Sequence, residues 1–113
     1  MQLYHNPRCS KSRETLALLE AKGQAPEVVL YLDTPPDVET LKGILKKLGF
    51  ASARQLMRTK EDLYKELGLA AVEDEAVLLA AMAEHPKLIE RPILIKGDQA
   101  RLGRPPEQVL EIL

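Results

Sequence analysis

Gln2-Leu3-Tyr4-His5-Asn6-Pro7-Arg8-Cys9-Ser10-Lys11-Ser12-Arg13-Glu14-Thr15-Leu16 opens the chain and decides how the rest is read. Gln2 to His5 reads as a short strand. Thr15, Leu16, Leu18, Leu19 and Ala21 then recur at helical spacing and stop at Gly23. Between them lies a polar loop, Asn6 to Ser12, that carries the only cysteine. A second strand, Glu27-Val28-Val29-Leu30-Tyr31-Leu32, is rich in β-branched and aromatic residues, so the first third has β-α-β order. Such a crossover predicts a parallel, right-handed strand pair.

Beyond this unit, Thr34 is a candidate N-cap with Pro35 in the first helical turn, and Leu41, Ile44, Leu45 and Leu48 form a stripe that stops at Gly49. Ser52 to Met57 is a short helical candidate. Thr59 precedes another, with Leu63 and Leu67 on one face and Gly68 as the stop, and Val72 to Ala83 is a fourth, closed by Pro86. The last third returns to strands: Ile93-Leu94-Ile95-Lys96, a two-residue turn at Gly97-Asp98, and Gln99 to Leu102. Pro105 and Pro106 open a final helix to Leu113. The order β-α-β, helical insertion, β-β-α predicts an α/β thioredoxin-like fold: a four-stranded mixed sheet with flanking helices and a helical insertion.

Composition narrows the function. A chain of 113 residues, 45% hydrophobic, suits one domain spanning residues 1–113. Its net charge of -1 comes from 16 basic and 17 acidic residues without a polybasic run, which argues against nucleic acid or anionic lipid as partner. No segment approaches the ~20 apolar residues of a membrane span, and no signal peptide opens the chain, so a soluble, cytoplasmic protein is expected. A single cysteine makes no internal disulfide and no Cys-rich zinc site, and a reducing compartment preserves it. Neither a metal nor a bound cofactor is expected, and the chain is expected to be a monomer.

Cys9 sits between a strand and the first turn of a helix, where unpaired backbone N–H groups and the helix dipole favour an anion such as a thiolate. Arg8, Lys11 and Arg13 are near in sequence. Together these effects are expected to lower the thiol pKa from about 8.5 toward the roughly 3.5–7.5 range of activated cysteines. A lone cysteine is more often a buried core residue, but Asn-Pro-Arg before it and Ser-Lys-Ser after it are loop-forming, which favours a reactive group. His5, at the end of the first strand, would stabilise that thiolate or orient a neighbour, or merely satisfy its own polarity. His85 precedes Pro86 at a helix end, where it suits the C-terminal dipole.

Arg91 and Arg104 each precede a proline near a strand end, and Arg58 lies in the helical block. A tetrahedral oxyanion favours forked, permanently charged donors, which guanidinium supplies better than ammonium. Taken singly, each such arginine is more often a surface charge, and composition alone does not select these three. For Pro92 the residues alone favour a trans peptide bond, since about 5–6% of X-Pro bonds in folded proteins are cis.

Five strings extend this reading: Leu3 to Arg13, Leu30 to Pro36, Leu56 to Leu69, His85 to Ile93 and Arg101 to Pro105. In order and spacing they resemble the glutaredoxin-coupled arsenate reductases of the thioredoxin-like superfamily, across essentially the whole chain. The resemblance implies that Cys9 is the catalytic cysteine, that His5 serves its thiolate, and that Ser12 is a serine of the same catalytic loop. It makes Arg58, Arg91 and Arg104 the oxyanion-binding arginines and Pro92 the superfamily's cis-proline. It implies reduction of arsenate to arsenite, with glutathione as co-substrate and glutaredoxin as partner. Cys9 would attack arsenate, glutathione would reduce the arsenic and leave a Cys9-glutathione mixed disulfide, and glutaredoxin would clear it.

Two positions depart from the family pattern. Gly103 stands where the plasmid-type enzyme carries a cysteine, and Arg8 where it carries an alanine, so arsenate or a similar oxyanion is the expected substrate class. Two other functions compete. A redox-sensing transcriptional regulator of the same superfamily would need a Cys-x-x-Cys switch, whose second position is Ser12 here. A glutathione-dependent thiol reductase not acting on arsenate would keep Cys9 without needing three arginines.

Overall fold

Strand β1 (Gln2–Tyr4) pairs on both edges, parallel to β2 (Glu27–Val29) and antiparallel to β3 (Ile93–Lys96). β3 in turn pairs antiparallel with β4 (Gln99–Leu102), giving the sheet order β2-β1-β3-β4. The computed structural model describes all 113 residues, and the expected α/β fold with a four-stranded mixed sheet is present. Helix α1 (Ser10–Ala21) follows β1, and a 3-10 helix, Pro106–Ile112, closes the chain. These elements form one compact unit, residues 1–34 with 91–113, and residues 35–90 form a second.

The core of the first unit is built from alternating and helical positions that the sequence pattern already marks. Leu3 on β1 and Leu94 on β3 are register partners. They join Leu19 of α1 with Val109 and Ile112 of the terminal helix in one buried cluster. Each such side chain contributes about 1.5–3 kcal/mol when removed from water. Gly97, at φ 60, makes the tight β3–β4 turn that an L side chain would resist. No helix is long and apolar enough to cross a membrane.

The second unit is helical. Helix α2 (Val38–Leu48) buries Leu41, Ile44 and Leu45, α3 (Asp62–Glu66) buries Tyr64, and α4 (Glu75–Glu84) buries Leu78, Leu79 and Met82. Polar ties join its segments. Glu75 accepts from Ser52 Oγ at 2.8 Å and from Ala53 N at 2.7 Å, while the Arg54 guanidinium donates to Tyr64, Leu69 and Val72.

Several boundaries differ from the sequence expectation, each for a local reason. β2 ends at Val29 rather than Leu32: His5 N–H still donates to Val29 O at 2.9 Å, but β1 ends there and offers no further partner. The chain then turns, with Asp33 and Thr34 N–H both donating to Leu30 O. Thr34 is therefore a turn residue, and Asp37 caps α2 through Thr40 N–H at 2.8 Å. In α3 the buried anchor is Tyr64, whereas Leu67 is exposed. Asp74 caps α4, so that helix starts at Glu75 rather than Val72. Ala53–Leu56 and the C-terminal segment are 3-10 rather than α-helical.

Gly103 marks a close approach. Its N–H donates to Pro92 O at 2.9 Å, and a Cβ there would strike Thr15 Oγ1 and come within 2.7 Å of Pro92 Cγ. The contact holds the end of β4 against α1 and the start of β3 with no space for a side chain. Gly103→Ala is expected to lower stability by about 1–3 kcal/mol through overpacking, read as a lower urea midpoint. An unshifted midpoint would show that Thr15 and Pro92 yield without cost.

Candidate active site

The loop between β1 and α1 is shaped by its own polar groups. Asn6 Oδ1 accepts from Arg8 N–H and Asn6 O from Cys9 N–H, both at 3.0 Å. Ser12, fully buried, accepts from Asn6 N–H at 3.0 Å and lies 2.6 Å from His5 Nδ1. One hydroxyl thus ties the end of β1, the loop and the first turn of α1 together. Asn and Ser hydrogen-bond readily to nearby backbone, and this position uses that tendency to fix the loop.

Cys9 is the N-cap residue of α1, with extended backbone, and the N–H groups of Lys11 and Ser12 in the first turn act on its sulfur. Burial alone pushes its pKa up. The Ser12 N–H, the hydrogen bond and charge of the Arg91 guanidinium, and the Lys11 N–H outweigh burial, and the net shift is downward. Arg104 Nη2 approaches the sulfur as well, at 3.7 Å. The direction matches the sequence expectation, as does the part played by the N–H groups of the first helical turn, but the source of the charge does not. Among the basic neighbours in sequence only Lys11 contributes, through its backbone rather than its ammonium group. Arg13 instead donates to Pro7 O at 3.0 Å, and Lys11 pairs with Glu14 at 3.7 Å. The cation that matters most comes from the far end of the chain.

His5 is buried, and that burial, followed by the positive charge of Arg13, pushes its pKa down. A neutral imidazole therefore prevails at neutral pH. Its hydrogen bond goes to Ser12, not to the sulfur, so of the roles open to it the structure displays the orienting one. Arg91 and Arg104 come together: Arg104 Nε donates to Arg91 O at 2.8 Å, and both Arg91–Pro92 and Arg104–Pro105 are cis peptides. The cis bond at Pro92 is the isomer that the resemblance implied and residue statistics disfavoured; that at Pro105 had no sequence signal. Arg91 Nε is buried without a hydrogen-bond partner. Arg58 belongs to the helical unit, where its N–H donates to Leu88 O at 2.7 Å and its Nε lies 3.4 Å from Glu61. His85 is the C-cap of α4.

Tyr31 reads from the sequence as a strand residue within the string Leu30 to Pro36, with no role in the site. It is 1% exposed, its ring stacks on Tyr4 with centroids 6.4 Å apart, and burial pushes its hydroxyl pKa up to about 12. The charges of Arg91, Cys9 and Arg104 all bear on that hydroxyl. An aromatic at the inward position between exposed Leu30 and Leu32 was the available signal. A cavity of about 360 Å³ lies beside the same loop, between residues 5–8 and Leu30, Leu32 and Asp33. Cys9 is not among its walls, so it neighbours the sulfur without enclosing it.

This constellation sits in a chain whose residues 4–112 match the model of the ArsC family. The chain belongs to the ArsC family. It is 63% identical, over 100% of its length and 96% of the other's, to the Escherichia coli protein YfgD, which is described as uncharacterized. It is 56% identical to an arsenate reductase of Neisseria meningitidis, over 100% of this chain and 97% of that one. The solved structure of an arsenate reductase from Vibrio cholerae superposes with a TM-score of 0.97 at 62% identity, covering 99% of this chain and 96% of that one. The thioredoxin-like α/β fold is thus the one expected.

In this ArsC chain the Cys9 thiolate is favoured by the fold, so the sign of its pH dependence follows. Lowering the folded pKa places alkylation by iodoacetamide at lower pH than for an ordinary thiol of about 8.5. The stability linked to this ionisation is present above the unfolded pKa and is lost as pH falls through the folded one. Ultraviolet titration of the thiolate should give a midpoint below the ordinary value, and Arg91→Gln should raise it. A midpoint at the ordinary value, or one indifferent to Arg91, would refute this account.

Proposed function

We propose that this chain reduces arsenate to arsenite, with the Cys9 thiolate as nucleophile and with glutathione and glutaredoxin as thiol partners in the cytoplasm. The observation that carries the reading is a single sulfur, 9% exposed, whose ionised form is favoured by two backbone N–H groups and Arg91, with Arg104 Nη2 at 3.7 Å. The same guanidinium groups that favour a thiolate favour a bound oxyanion. The 56% identity to an arsenate reductase over nearly both full lengths supports arsenate as that oxyanion.

The chemistry balances with one cysteine. Cys9 thiolate attacks the arsenic of dihydrogen arsenate, an As–S bond forms, and one As–O bond breaks; with one proton taken up, the leaving oxygen departs as water. Glutathione then attacks the Cys9 sulfur. The As–S electron pair passes to arsenic, which leaves as arsenite in the trivalent state, and the two sulfurs remain as a mixed disulfide. Glutaredoxin restores the Cys9 thiol by exchange. Arg91 and Arg104 offset charge on the arsenate oxygens as the anionic thiolate approaches. His5 and Ser12 hold the loop that aims the sulfur. Arg58 joins the oxyanion donors in this reading on the resemblance alone.

Arsenate-dependent oxidation of NADPH, coupled through glutathione, glutathione reductase and glutaredoxin, tests the proposal. The wild-type chain should support it and Cys9→Ser should not; wild-type activity no greater than that of Cys9→Ser overturns the reading. In the same assay Arg104→Lys keeps the charge but loses the fork, and kcat/KM should fall by about tenfold. Its urea midpoint should move little, because Arg104 is exposed. Unchanged kcat/KM would remove Arg104 from the oxyanion clamp.

A further inference from the structure

Tyr31 carries a polar atom that the mechanism above leaves unused. The residue is 1% exposed, and its hydroxyl is buried without a hydrogen-bond partner. A buried phenol ordinarily finds such a partner, and an orphan calls for a physical explanation. The residue is held at ring and backbone: its ring stacks on Tyr4 at an interplanar angle of 14°, and its N–H donates to Val29 O at 3.0 Å. The groups around the hydroxyl are those of the candidate site. Arg91, Cys9 and Arg104 act on it through their charges, and the Asn6 amide bears on it without forming a bond of hydrogen-bond geometry.

A second buried donor in the same group is also unmet, namely Arg91 Nε. The site therefore presents two orphaned donors, one charged and one neutral, beside a nucleophilic sulfur. An anion with several oxygens can accept from both at once, each donor meeting a separate oxygen. We propose that the Tyr31 hydroxyl donates a hydrogen bond to an oxygen of the tetrahedral anion bound at Cys9, as an uncharged third ligand beside Arg91 and Arg104. This inference rests on the oxyanion reading of the site and adds to it a residue on a different strand connection. Because the hydroxyl ionises only near about 12, it keeps its hydrogen throughout the neutral range and remains a donor there. A neutral donor also adds direction to anion binding without adding further charge beside the sulfur.

Protection of Cys9 from iodoacetamide by sodium arsenate, followed by mass spectrometry on the full chain, tests the inference without requiring turnover. Tyr31→Phe keeps the ring and its stack on Tyr4 while removing the oxygen. The arsenate concentration for half-protection should rise by about tenfold in that variant. The alkylation rate without arsenate should be unchanged. The melting temperature of the free variant should equal or exceed that of the wild type, since the lost hydroxyl was unpartnered, and the stabilisation that arsenate confers should shrink. Equal protection of the two proteins overturns the role of Tyr31 and leaves the oxyanion reading standing. A free variant that melts several degrees lower shows the hydroxyl to be structural and likewise overturns the inference. Absence of protection in the wild-type chain overturns the oxyanion reading and this inference with it.

Discussion

The antiparallel pairing of β1 with β3 sets Leu3 opposite Leu94 and Tyr4 opposite Ile93. Both strands are central and carry fully buried residues, so a shift of register by one residue would turn Leu3 and Leu94 out of the core. The register also places the start of β3 next to the end of β1. That is how Arg91, 82 positions after Cys9 in the sequence, comes to act on its sulfur. The β3–β4 hairpin then returns Arg104 to the same end of the sheet, where Arg91 O receives its Nε. The charge at the site is therefore a product of strand pairing.

A second constraint works at short range. Ser12 is fully buried, and its hydroxyl serves both the Asn6 N–H and His5 Nδ1. The arrangement fixes the loop before the first turn of α1, so the N–H groups of Lys11 and Ser12 point to a sulfur already in place. A helix N-terminus stabilises an anion only when that anion is held within about one turn of it. His5, neutral and turned toward Ser12, contributes through this geometry rather than through charge. Burial works against the thiolate throughout, and directional donors outweigh it.

Charge gathers around the sulfur, with Arg104 Nη2 at 3.7 Å and Arg91 acting on it as well. Two guanidinium groups supply attraction for an anion there, and their charges also bear on the buried phenol of Tyr31, whose ring is stacked on Tyr4. Tight packing around them leaves little freedom. Gly103 has no space for a Cβ between Thr15 and Pro92, which holds the segment leading to Arg104 close to α1. The glycine that departs from the plasmid-type pattern therefore fits a local contact in this fold.

Local residue chemistry determined the element order, the loop that carries Cys9, the β3 and β4 strands to the residue and the hairpin at Gly97-Asp98, because periodicity and turn preference act over a few neighbours. It also marks the polar loop as the candidate site, while the arginines are named by the family resemblance rather than by local pattern. Tertiary structure decided the rest. β2 stops at Val29 because its partner strand stops, the turn from Leu30 to Thr34 leaves the α2 cap to Asp37 rather than Thr34, and Tyr31 is buried with the charges of Arg91, Cys9 and Arg104 on its hydroxyl. The sequence placed three cations around Cys9 by proximity along the chain, yet the sulfur takes its guanidinium donors from residues 91 and 104. Proximity in sequence brings backbone N–H groups to the sulfur, but a side-chain charge acts on it only where strand pairing and packing bring the two within a few ångströms.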